Sequence, residues 1–198
     1  LNTLRGTDVV KRIFSDNYRS LRRSCKNLGI IFEPCQPNMH QTNAIIERAN
    51  GEQLQDTRVA LVQAGLPACW WPYASPCAAM LDAITEDPDG NTKWFERHQD
   101  VFKGSAIPCG CGVFFKPSKW GAPAKAAPRM SYGVFLGYRL APGGKWNGEY
   151  LVADLEDFAG KDMSVTASPK QWPRFEPHVT KQVKLPNRGI HFPCRAKY

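Results

Sequence analysis

Apolar positions along this chain come in short runs, then in one long helical period, then in short runs again. Val9, Val10, Ile13 and Phe14 form a run broken by Lys11 and Arg12 and closed by Ser15-Asp16-Asn17. Val, Ile and Phe suit a pleated, half-buried surface, and Asp-Asn suits a turn. The pattern predicts a strand here, with Asp16 at its C-terminal end, where open α/β sheets place their ligand chemistry. Leu21, Cys25 and Leu28 recur at helical spacing, and Gly29 is a natural stop. Ile30-Ile31-Phe32 reads as a second short strand, and Pro34, Pro37 and Asn38 mark the loop after it. From Ala44 to Ala64 there is no proline and one glycine. Ile46, Leu54, Leu61 and Ala64 share a face of a long helix, with Asn43 as N-cap and Gly65-Leu66-Pro67 as the stop.

Trp70-Trp71-Pro72 opens another predicted helix, running to about Ala83 despite Pro76 inside it. Both tryptophans are expected to pack in a core. Residues 85–93 form an acidic, turn-rich link. After Phe102 come short β-rich runs: Val113-Phe114-Phe115, Gly133 to Tyr138, and Tyr150-Leu151-Val152. Pro142-Gly143-Gly144 separates the last two, so a small antiparallel β unit is expected, with Phe114, Phe115, Phe135 and Tyr138 as its core. Beyond about residue 160, five prolines punctuate an extended basic tail in which few elements and some disorder are expected. The expected fold class is α/β, followed by a small antiparallel β-barrel-like domain and a Pro-rich tail. The segments are 1–84, an acidic linker 85–105, a β domain 106–160 and the tail 161–198.

Composition narrows the class. The chain has 198 residues, 42% of them hydrophobic, enough for one ordinary domain or two small ones. No apolar run approaches bilayer length, and the stretch after Leu1 lacks the apolar centre of a signal peptide. Seven scattered cysteines, an odd number, read as reduced thiols of an intracellular protein rather than a disulfide framework. Cys109-Gly-Cys111 and His191-Phe-Pro-Cys194 stand isolated, so structural zinc is not expected. The formal net charge is +8 and uneven. Residues 9–29 carry Lys11, Arg12, Arg19, Arg22, Arg23 and Lys26 against Asp16 alone, and residues 116–145 carry six cations and no acid. Clustered cations attract polyanions, nucleic acid above all.

Asp16 and Glu47 are the candidate chemistry. Taken alone, Asp16 before Asn17 at a strand end reads as a turn former, and Glu47 near a helix start as a capping carboxylate favoured by the helix N-terminus. Together, converging from a strand end and a first helical turn, they can hold a hard cation such as Mg²⁺ or Mn²⁺.

The ordered set FSDN (14–17), GI (29–30), two prolines (34 and 37), QTNAIIERAN (41–50) and QAGLP…WWPYA (63–74) resembles the second half of the integrase core of copia-type LTR retrotransposons. FERHQ (95–99), VFFKP (113–117) and GVFLGY (133–138) resemble the small β-barrel region that follows that core. The resemblance implies an RNase H-like fold, with 1–84 as the C-terminal half of the core, and a DDE-type polynucleotidyl transferase that integrates DNA with Mg²⁺ or Mn²⁺. Asp16 then matches the second carboxylate of the triad and Glu47 the third. Asn17, Arg19, Gln41, Asn43, Arg48 and Asn50 match positions near DNA. The implied partners are DNA, or RNA, and a second copy or other protein covering exposed sheet edges, in the nucleus and without a membrane.

Departures from the family pattern set a further expectation. No residue here matches the first triad Asp, and Asp8 is too near Asp16 to serve. Ala44 stands where the family's loop has glycine, Gly51 where it has a basic residue, and the Asp16-to-Glu47 spacing is short. A truncated, degenerate piece, inactive alone, is therefore expected. The alternatives are a noncatalytic nucleic-acid-binding module and a structural or protein-interaction remnant.

Overall fold

The computed structural model describes residues 9–35, 44–117, 126, 128–164 and 176–195. The chain divides into two compact units, Leu1–Glu52 with Ala141–Lys145, and Gln53–Leu140 with Trp146–Tyr198.

In the first unit, β1 (Arg12–Ser15) pairs in parallel with β2 (Ile31–Pro34), Arg12 facing Ile31 and Phe14 facing Glu33. Helix α1 (Arg19–Asn27) makes the crossover that parallel strands require. It ends in the reversal its glycine allows. Gly29 is left-handed (φ 66°), its N–H donates to the Lys26 carbonyl, and the Ile30 N–H donates to the Cys25 carbonyl. Cys25 is fully buried, and the Arg22 guanidinium lies 5.8 Å from the centre of the Phe32 ring, so α1 covers one face of the strands. On the other face Arg12 bridges Glu33 at 2.9 Å, while Phe14 and Ile31 are more than half exposed.

Helix α2 (Ala44–Ala64) begins in the first unit and ends in the second. Its apolar face differs from the expected one. Ile46 and Leu54 are exposed, and the buried positions are Thr57, Leu61 and Ala64, spaced four and three apart on the last turns. Gln53 fastens this end to the next helix through its amide, which donates to the Ser75 carbonyl at 2.9 Å. The stop signal forms as read: Gly65 is left-handed (φ 67°), its N–H reaches the Val62 carbonyl and the Leu66 N–H the Leu61 carbonyl.

The second unit continues through a 3₁₀ turn (Ala68–Trp70), α3 (Trp71–Ile84) and α4 (Lys93–His98). Pro76 lies within α3 without ending it. Trp70 is buried and stacked on Phe158 at 5.2 Å, whereas Trp71, expected in the core, is exposed. The acidic link is an ordered turn in which the Asp87 carboxylate accepts the N–H groups of Asp89 and Asn91. Thr92 then caps α4, accepting the Phe95 N–H at 3.1 Å.

Five strands make a curled antiparallel sheet in the order β6-β5-β4-β3-β7: β3 (Gly112–Phe115), β4 (Ser131–Ala141), β5 (Lys145–Asp154), β6 (His178–Thr180) and β7 (Val183–Lys184). The last two strands come from the Pro-rich segment and form both edges. The disorder expected there falls partly on 165–175 and 196–198, outside the described residues. Val113, Phe115, Val134, Phe135 and Val152 are fully buried against Leu66, Trp70, Cys77 and Ile107 in one core. Tyr138 ties the entry loop to that core: its hydroxyl accepts the Ile107 N–H at 2.9 Å and donates to the Ser105 carbonyl at 2.8 Å. Phe114, by contrast, is 39% exposed and lies outside the core expected to hold it.

Candidate functional site

Asp16 follows the last residue of β1. Its backbone carbonyl accepts the Tyr18 N–H at 2.6 Å, and that tight bend launches α1. The expectation of a carboxylate at a strand's C-terminal end is therefore met by the backbone. Glu47 lies in the first turn of α2, also as expected. Both side chains are exposed, and both residues belong to the first compact unit.

The other candidate residues fall into two groups. Asn17 and Arg19 flank Asp16, at the bend and at the start of α1, and both are exposed. Arg48 and Asn50 lie on the exposed first turns of α2, with Asn50 three positions from Glu47 and so on a neighbouring face. Gln41 and Asn43, with the Asn43 cap, lie outside the described residues.

The basic stretch over 9–29 gains a shape. Arg19, Arg22, Arg23 and Lys26 are spaced three, one and three apart on α1, so they form one stripe. Arg22 borders buried Cys25, three positions on, while all four residues of the stripe are exposed and the helix carries no acid. In the second basic stretch Lys116, Arg129, Arg139 and Lys145 are exposed, with Arg139 bridged to Glu149 at 3.2 Å, while Lys119 and Lys125 lie outside the described residues.

No family model matches this chain, and no curated protein matches it.

Mg²⁺ or Mn²⁺ is the cofactor the resemblance implies. The donor chemistry fits, because Mg²⁺ is commonly held by one or two carboxylates with water and substrate phosphates completing its shell. Among the described residues no group of three or more His, Cys, Asp or Glu gathers.

One surface was not legible in the sequence. Across β4, β3 and β7, Tyr132 faces Phe114 and Phe114 faces Lys184, on the face of β3 opposite to buried Val113 and Phe115. These three line an open groove of ≈ 780 Å³ with Arg188 and His191. A partial signal lies in the alternation of Val113, Phe114 and Phe115, which puts the middle residue on the opposite face from its neighbours.

Proposed function

We propose that the chain is part of a retrotransposon-type integrase, an RNase H-like polynucleotidyl transferase core that engages DNA and cannot complete strand transfer by itself. The observation that carries this reading is the order β1-α1-β2-α2 with Asp16 one residue past β1 and Glu47 in the first turn of α2. The ordered motifs of the sequence support it further.

In this reading the Asp16 and Glu47 carboxylates hold the divalent cation, which supplies polarisation of a phosphodiester and activation of a hydroxyl when bound. Arg19 and Arg48 neutralise phosphates beside them, and the Asn17 and Asn50 amides hydrogen-bond to the DNA backbone. Solvent-exposed carboxylates bind such a cation weakly, so DNA phosphates are needed to complete its shell.

Two measurements test the reading. With an oligonucleotide present, Mn²⁺ should broaden the NMR signals around Asp16 and Glu47 together, and Asp16→Asn or Glu47→Gln should abolish both. Broadening at neither place sinks the metal reading. In a Mg²⁺-dependent joining assay the chain alone should yield no strand-transfer product; product that Asp16→Asn removes overturns the inactive part.

A second reading, a noncatalytic nucleic-acid-binding module, is favoured by the α1 stripe of Arg19, Arg22, Arg23 and Lys26. It requires binding that falls steeply with salt and ignores Mg²⁺.

A further inference from the structure

We propose that the end of the sheet carrying Tyr132, Phe114 and Lys184 is a binding site for single-stranded nucleic acid. Tyr132 and Phe114 stack on bases there, and Lys184 and Arg188 take the phosphates. The site lies wholly in the second unit and goes beyond the carboxylate reading.

Register builds the platform. Tyr132 is directly opposite Phe114 and Phe114 directly opposite Lys184, so the three form one row across adjacent strands, about 4.8 Å apart. The two rings stand 5.1 Å apart. Phe114 is exposed because of the pleat, not because the strand is loose, since Val113 and Phe115 on either side are fully buried. Gly112 keeps the floor low: a Cβ there would overlap the Tyr132 ring and hydroxyl, so glycine lets that ring lie against β3.

Charge selects the occupant. Lys184, Asn187, Arg188 and His191 come from β7 and the loop after it, and among the described residues no Asp or Glu lines the groove. Among the described residues no carboxylate bridges Lys184 or Arg188. The chain as a whole carries +8. Cations beside two adjacent rings match a ligand that carries both phosphates and flat π faces. An acidic peptide would use the cations and leave the rings idle. In a duplex the base faces are already stacked on one another and do not reach Phe114.

The test is fluorescence anisotropy of the full chain with a labelled oligothymidylate across a salt series. Phe114→Leu should weaken binding about tenfold. The double variant Lys184→Ala/Arg188→Ala should reduce the slope of log K against log salt by about 0.7 per cation. Both changes are on the surface, and circular dichroism checks that the fold is kept. Polyglutamate at matched charge should not displace the oligonucleotide, and a duplex of the same length should be insensitive to Phe114→Leu. No binding, affinity unchanged by both Phe114→Leu and Tyr132→Leu, or displacement by polyglutamate overturns the proposal. Asp16→Asn and Glu47→Gln should leave this affinity unaltered, and Phe114→Leu should leave Mn²⁺ broadening at Asp16 unaltered, so each reading can fail alone.

Discussion

Thr180 and Val183 are three positions apart in the chain, yet their strands occupy opposite ends of the sheet order β6-β5-β4-β3-β7. Three residues span at most about 10 Å. The edges of a flat five-stranded sheet would stand about 19 Å apart. The sheet must therefore curl until its two edges nearly meet, and the link at Lys181 and Gln182 keeps them there. The buried Thr180 hydroxyl shapes that link, accepting the Gln182 N–H at 3.2 Å, and the Gln182 carbonyl accepts the Lys116 N–H at 3.2 Å. Thr180→Val should cost about 1 kcal/mol. Amide exchange should show β6 and β7 losing protection first. Equal loss across all five strands would show that the hydroxyl does not govern the closure.

The two glycine-ended helices make a matched pair for mutation. Gly29 and Gly65 have the same left-handed backbone and the same pair of capping hydrogen bonds. A Cβ at Gly29 meets nothing within 4 Å, but one at Gly65 would run into the Arg195 backbone. Gly29→Ala should therefore cost only the conformational penalty, about 1 kcal/mol. Gly65→Ala adds a displaced backbone and should cost about 3 kcal/mol. Urea denaturation of the two variants checks the difference, and equal costs would contradict the close approach.

Tyr138 should be costly to trim. Tyr138→Phe leaves the buried Ile107 N–H without its acceptor and the Ser105 carbonyl without its donor, a loss of about 2 to 3 kcal/mol. The fall in urea midpoint at neutral pH is the readout.

Alkali should unfold the second unit. Burial raises the Tyr138 phenol, the hydrogen bond with Cys109 and then burial raise the Cys77 thiol, and burial raises the Cys111 thiol. Each folded value lies above its unfolded one, about 8.5 for a thiol and about 10 for a phenol. Their contribution is intact below those values and is lost as pH rises through the folded ones. Stability should hold to about pH 8 and then decline, less steeply in Tyr138→Phe above about pH 10. A flat profile to pH 11 or so would refute the assignment.

The α1 stripe should act as a phosphate-binding surface. Changing Arg19, Arg23 and Lys26 to Gln leaves Arg22 on the Phe32 ring and removes three exposed cations. The salt slope for duplex DNA should fall by about 0.9 per cation removed. An unchanged slope would place the polyanion elsewhere.

Local chemistry made much of this legible. Gly29 and Gly65 marked both helix ends because only glycine takes that backbone at low cost. Val, Ile and Phe marked β1, β3 and β4, and Asp16 and Glu47 came out at the strand end and the first helical turn expected of them. Long-range pairing was not legible. β6 and β7 have three and two residues, too few to show a period, and the register that aligns Tyr132, Phe114 and Lys184 depends on partners 18 and 70 residues from Phe114. Trp71 was misread for a related reason. It adjoins buried Trp70, and only the turn into α3 decides which of the two faces inward.

The buried thiols give the chain its own gauge of opening. Cys25 is sealed in the first unit, and Cys77, Cys109, Cys111 and Cys194 are sealed in the second. An alkylating reagent reaches such a sulfur only when the structure around it parts. The four in the second unit come from three stretches of chain, at Cys77, Cys109-Gly-Cys111 and Cys194, but share one core, so they should react at a common rate if that core opens as a whole. Cys25 keeps separate time, and the ratio of its rate to theirs reports how independently the two units breathe.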